Sequence, residues 1–168
     1  MKNTTKDWLS AAQDDIKSMS LLLKNPDLTN IVAFHAQQAI EKSLKALMEE
    51  SEIEFIKTHN LKTLLASTNT NLNINKRVFT ELDQLYLDSR YPGDIGLMPF
   101  GKPSMEDAQQ YLDEAKKIYQ EIEKRISTLK KDIWQPTTNK EGVISYAELR
   151  FCRQRTQIKQ IKQMVTDF

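Results

Sequence analysis

The sequence predicts an all-α protein: an up-and-down bundle of four main helices plus a short helix, with a C-terminal helical appendage. Three observations carry this. Apolar residues recur at three- and four-residue spacing over most of residues 1–131, and no stretch alternates with the period of a strand. Only 4 Gly and 5 Pro occur in 168 residues, and they gather at a few breaks. A 39% apolar fraction is enough for a helical core, and 28% charged residues suit its wet faces.

The first helix is expected over about Thr5–Lys24, where Trp8, Ala12, Ile16, Met19 and Leu23 form one apolar stripe. Asn25-Pro26 ends it, because proline lacks an amide hydrogen and disfavours helical geometry in the residue before it. A second helix follows over about Asn30–Glu50, with Val32, Ala33, Ala36, Ile40, Leu44 and Leu47 on its core side. Thr58 or Asn60 is placed to cap a brief third helix reaching about Ser67. The Asn-rich segment 69–75 reads as a linker. The fourth helix, about Lys76–Ser89, packs Val78, Leu82, Leu85 and Tyr86.

Three prolines and three glycines within residues 91–103 make that stretch the long irregular loop of the body. The fifth helix opens at Ser104, with Asp107 three residues on in a near-capping-box arrangement. It extends to about Lys131 with Ala108, Leu112, Ala115, Ile118, Tyr119, Ile122, Ile126 and Leu129 inward. Two domains are therefore expected, a helical bundle over 1–131 and a basic, partly helical appendage over 132–168. Trp134-Gln135-Pro136 and Gly142 break the pattern, and Val143–Phe168 is basic, Gln-rich and weakly amphipathic. That stretch is either an added interaction helix or a segment with no role.

Charge and cysteine content exclude several classes. Residues 1–129 hold 16 Lys/Arg against 19 Asp/Glu, and residues 130–168 hold 8 against 4, so the body is no broad nucleic-acid platform. Cys152 is alone and cannot form an internal disulfide, and no Cys/His cluster offers zinc ligands. Neither a metal nor another cofactor is expected. There is no apolar run long enough to span a membrane and no apolar secretory segment, so a cytoplasmic location is expected. Glycine-rich phosphate loops are absent, and no alternation of aromatic and basic residues suggests a stacking platform for single strands.

The chemistry concentrates on the second helix. At about 100° per residue, His35, Gln38, Lys42 and Lys45 follow one another on the side opposite the apolar stripe, with Glu41 beside them. An imidazole, an amide, an acid and two amines could donate to phosphate, accept from a base edge and hold a partner's charge. The plainer reading is a helix–helix or subunit contact for His35, bonded to a neighbour such as Gln38 or Glu41, and a surface i,i+4 pair for Glu41 and Lys45. His59 either orients the loop entering the third helix or touches a ligand. Arg90 and Tyr91 lie where the backbone must turn before Pro92-Gly93. A guanidinium there either grips a carboxylate or phosphate in a two-pronged way or pairs with Glu41 or another acid of the second helix. Asp94 is placed to hold Arg90.

The run Phe34-His35-Ala36-Gln37-Gln38-Ala39, with Glu41-Lys42 and Leu44-Lys45-Ala46, resembles the second helix of the HEPN family, small helical domains associated with nucleotide binding. Thr58-His59-Asn60-Leu61, with Asn60 where the usual motif has Asp, and Ser89-Arg90-Tyr91-Pro92 follow in the family's order, so the resemblance covers about residues 5–128. It implies a homodimer with a shared cleft. It also implies a nucleotide- or RNA-binding module that partners a minimal nucleotidyltransferase in a toxin–antitoxin-like pair, with Lys42, Lys45 and Arg90 on phosphate and His35 and Gln38 reading polar edges. Nuclease members of the family carry an Arg, four to six residues, then a His. Here both histidines precede the first arginine, Arg77, and the window after Arg90 holds Ile95, Gly96 and Leu97. That argues against the family's usual metal-free RNase chemistry. Two alternatives remain: an RNase toxin with an unusual site of His35, Glu41 and Arg90, and a structural dimerisation module.

Overall fold

The computed structural model describes residues 1–90 and 102–132, with side chains described for 1–86 and 102–129. Among them the chain forms helices α1 (Asn3–Leu22), α2 (Thr29–Glu50), α3 (Leu61–Ser67), α4 (Lys76–Arg90) and α5 (Met105–Asp132), with a 3₁₀ turn at Pro26–Leu28 and no strand. The all-α architecture follows the periodicity. The loop at 91–101 and the appendage beyond Asp132 lie outside the described residues.

Each boundary has a local cause. The break at Asn25-Pro26 falls where the sequence puts it, and the Asn25 side chain accepts the Asp27 N–H at 2.9 Å to start the 3₁₀ turn. Helix α1 itself ends two residues earlier than expected, at Leu22, and the Leu23 N–H closes back on the Met19 carbonyl. Asn60, not Thr58, caps α3: its side chain accepts the Thr63 N–H at 2.9 Å. Thr58 instead accepts the Asn60 N–H. At α5 the Asp107 N–H donates to Ser104 Oγ at 3.1 Å, and the Ser104 N–H donates to Asp107 Oδ2 at 3.2 Å. That is a capping box with Asp in the usual place of Glu.

Two helix ends close through the left-handed region. After α2, Glu52 has φ 56° and the Ile53 N–H reaches back to the Met48 carbonyl at 2.9 Å. After α3, Asn69 has φ 49° and its N–H reaches the Ala66 carbonyl. Both use the reversed turn that satisfies carbonyls at a helix C-terminus.

Helix α2 is the axis of the body. Val32, Ala36, Ala39, Ile40, Leu44, Ala46 and Met48 are fully buried, and α1, α3 and α4 all contact it. Helix α1 runs antiparallel to it, since the Thr5 hydroxyl at the start of α1 donates to Glu50 at the end of α2 at 2.8 Å. Helix α5 adds Ala108, Leu112, Ala115, Ile118, Ile122 and Ile126 to the same core. Full burial of each large aliphatic side chain contributes roughly 1.5–3 kcal/mol. Five expected core positions differ: Leu129 is exposed, and Trp8, Leu23, Leu85 and Tyr119 are only partly buried. Leu129 lies in the last turn of α5, beyond the final core contact at Ile126. Leu9, Phe79 and Tyr111 take core places the stripes did not include.

Candidate functional site

Two buried carboxylates organise the polar stripe of α2. Asp15, in the middle of α1, holds Lys42 Nζ at 2.7 Å with Oδ2 and His35 Nδ1 at 2.9 Å with Oδ1. His35 and Lys42 lie two turns apart on α2, so one carboxylate bridges both. Glu41, on α2 itself, takes Lys45 Nζ at 2.6 Å and the Gln37 amide at 2.9 Å. His59, entering from the segment before α3, brings Nδ1 to 3.0 Å from Glu41 Oε1. Gln38 donates to Gln37 Oε1 at 2.6 Å, and Gln37 also donates to the His59 carbonyl at 2.9 Å.

Aromatic rings frame this network. Lys45 Nζ sits 5.4 Å from the centre of the Trp8 ring, and Trp8 stacks on Phe55 at 6.3 Å. The His59 ring lies 5.3 Å from that of Tyr86, and Phe34 meets His35 edge-on at 5.6 Å. Below His59, Asp83 of α4 accepts the Leu61 N–H at 2.7 Å and the Asn60 side-chain amide at 3.0 Å. The start of α3 is thereby tied to α4.

The carboxylates differ electrostatically. Burial alone would raise the Glu41 pKa, but hydrogen bonds from Lys45 and Gln37, with the charges of Lys45 and His59, hold it below the usual glutamate value. Asp83 moves the other way. Its burial, with a smaller repulsion from Glu41, outweighs hydrogen bonds from the Leu61 and Lys62 N–H groups and raises it.

Several expectations need correcting. The stripe does not form an open face of unpaired donors. Lys42 and Lys45 keep only 25% and 15% side-chain exposure, and each is bound to a carboxylate. His35 pairs with Asp15 of α1 rather than with Gln38 or Glu41. Of the trio His35, Glu41 and Arg90, the first two are held by different partners, His35 by Asp15 and Glu41 by Lys45 and His59. Glu41 is only 5% exposed, so its pairing with Lys45 is no surface pair. The Arg90 side chain, Tyr91 and Asp94 lie outside the described residues.

Asp15, Gln37, Trp8 and Asp83 complete the network and are not among the candidate site residues read from the sequence. A signal for Asp15 exists: it stands between Ala12 and Ile16, on the flank of the apolar stripe, where a wet carboxylate is out of place. Among the described residues no group of three or more His, Cys, Asp or Glu could hold a metal ion, and no helix is long and apolar enough to cross a membrane.

The HEPN domain profile matches residues 5–126. The chain belongs to the HEPN family. Among solved structures, the crystal structure of an archaeal HEPN homologue superposes with a TM-score of 0.56 at 25% identity, covering 75% of this chain and 99% of the other. No curated protein sequence matches the chain. HEPN membership supports a nucleotide- or RNA-related module in general, and HEPN domains commonly dimerise.

Proposed function

We propose that this HEPN chain is a nucleotide- or RNA-binding module that works as a homodimer beside a minimal nucleotidyltransferase, in a toxin–antitoxin-like pair in the cytoplasm. The observation that supports the reading is the α2 network itself. His35, Gln38, Lys42 and Lys45 are partly exposed and His59 is half exposed; Asp15 holds His35 and Lys42, Glu41 holds Lys45 and His59, and Gln38 is bonded to Gln37. Rigid, partly exposed donors and acceptors suit a ligand's polar edges. Phosphate is a different matter. Both lysines are already neutralised, so a phosphate has to compete with Asp15 and Glu41, and Arg90 becomes the cation assigned to it.

Calorimetry with ATP and with a short RNA, on the wild type and on Lys42→Ala/Arg90→Ala, tests this, with the dimer mass measured in parallel. Saturable binding that is lost in the variant while the dimer persists supports the reading. A folded wild-type dimer that binds neither probe overturns it and leaves a protein-interaction module.

One observation favours a second reading, an RNase with a non-standard site. Glu41 orients His59 through Nδ1 and so turns Nε2 away from the network, the arrangement of a base held by its carboxylate. An imidazole held in this way suits removal of a proton from an RNA 2′-hydroxyl. Growth arrest on expression that disappears in His59→Ala, with retained fold, would select this reading. Arrest that persists in His59→Ala would discard it.

A further inference from the structure

A second polar feature lies away from the α2 network. A cavity of 730 Å³ opens between α3, the 68–75 linker and the first turn of α4. It is a shallow groove, open to solvent over much of its extent. Leu65 and Ile74 form an apolar floor over the fully buried Phe79, while Lys62 and Lys76 reach it from two different helices. Asn69 and Thr80 add an amide and a hydroxyl.

The lysines here differ from those on α2. Lys42 and Lys45 are bound to carboxylates at 2.7 and 2.6 Å, whereas among the described residues neither Lys62 nor Lys76 enters an ion pair. Asp83 is near enough to feel the Lys62 charge, but its two oxygens are occupied by the Leu61 N–H and the Asn60 amide. Two lysines that line one groove and enter no ion pair among the described residues attract a compact anion.

The wall is also fixed in advance. Arg125 of α5 donates to the Asn71 carbonyl at 2.6 Å, and the Asn75 N–H donates to Glu114 of α5 at 2.6 Å. Between these two anchors Leu72 is buried in the core. Asn69 supplies the left-handed turn that swings the linker out of α3. A linker held at both ends loses little freedom when a ligand arrives, which lowers the cost of binding.

We infer that this cavity is a binding site for a small phosphate monoester. Its phosphate lies between Lys62 and Lys76, its body rests on Leu65 and Ile74, and Asn69 and Thr80 meet its polar groups. The site is independent of the nucleotide or RNA reading of the α2 network.

The test is calorimetry on the full chain with AMP, ribose 5-phosphate, adenosine and inorganic phosphate as separate probes. Saturable binding of at least one monoester is expected, weakening by about tenfold or more in Lys62→Gln/Lys76→Gln, since a hydrogen bond to a charged group is typically worth 1.5–3 kcal/mol. Ala66→Trp, which fills the exposed rim without removing charge, should abolish the same binding. Lys6→Ala, an exposed lysine of α1 outside the cavity, should leave it unchanged. AMP binding with no response to ribose 5-phosphate would mark a nucleotide body, and equal binding a sugar phosphate. The inference is overturned if neither monoester binds, if binding survives both cavity variants, or if Lys6→Ala removes it. Those last two results would leave the α2 reading standing, so the two proposals fail separately.

Discussion

Lys42 Nζ sits 2.7 Å from Asp15 Oδ2, and the other oxygen of that carboxylate is 2.9 Å from His35 Nδ1. One acid on α1 thus serves two groups on α2. Removing one member of a buried pair costs far more than the pair contributes on balance, because the other charge is left without a partner. Lys42 retains a quarter of its side-chain exposure and has some access to water, which moderates the loss. Asp15→Asn is therefore expected to lower stability by about 1–3 kcal/mol. Lys42→Met should cost less. A double-mutant cycle in urea measures the coupling, and additive single and double variants would show that the contact contributes nothing.

The Glu41 pKa is lowered in the folded state, which fixes the sign of its pH dependence. Stability from its ionised form is fully present above the ordinary value of 4.5 and is lost as pH falls through the lower folded value. Asp83, raised in the fold, has the opposite slope. Urea midpoints between about pH 3 and 6, measured in an Asp83→Asn background with and without Glu41→Gln, separate the Glu41 contribution from those of Glu50 and Asp107, which are lowered too. Glu41→Gln should flatten the acid limb in that background. An unchanged slope would contradict the assignment.

Asn69 stands at φ 49°, where a side-chain β-branch is costly. Asn69→Val is expected to destabilise by roughly 1–2 kcal/mol, and Asn69→Gly to change stability by a few tenths either way. Equal midpoints for Val and Gly in chemical denaturation would place the residue elsewhere in backbone space.

Ile40 is completely buried on α2 among side chains from several helices. Ile40→Ala should cost about 2–5 kcal/mol. Leu129→Ala, in the exposed last turns of α5, should stay within about 0.5 kcal/mol of the wild type. Comparable losses at the two positions would deny Ile40 its central place.

What was readable in the sequence, and what was not, divides along a physical line. Helices are periodic, so α2 and α5 and their buried positions such as Ile40 and Ile122 follow from residue spacing alone. Caps depend on near neighbours, so Asn60 and the Ser104–Asp107 box were visible too. The site residues His35, Gln38, Glu41, Lys42 and Lys45 were legible as one stripe, but their partners were not. Asp15 lies twenty residues before His35, and only packing α1 against α2 brings them together. Helical-wheel reasoning treats a polar face as wet. It cannot show that a second helix carries a carboxylate to meet it, or that His59 takes the place on Glu41 that was offered to His35.

Apolar surfaces forgive translation. Leu9, Ala12, Ile16 and Met19 could slide one helical turn along α2 and still find aliphatic neighbours. Asp15 does not permit it, because a shift of one turn would part it from both His35 and Lys42 at once. Thr5, bonded to Glu50 near the opposite end of α1, imposes the same requirement at a second height. Two such keys act like the paired marks of a vernier scale: only one setting aligns both, and that setting gives this two-helix hairpin a single register.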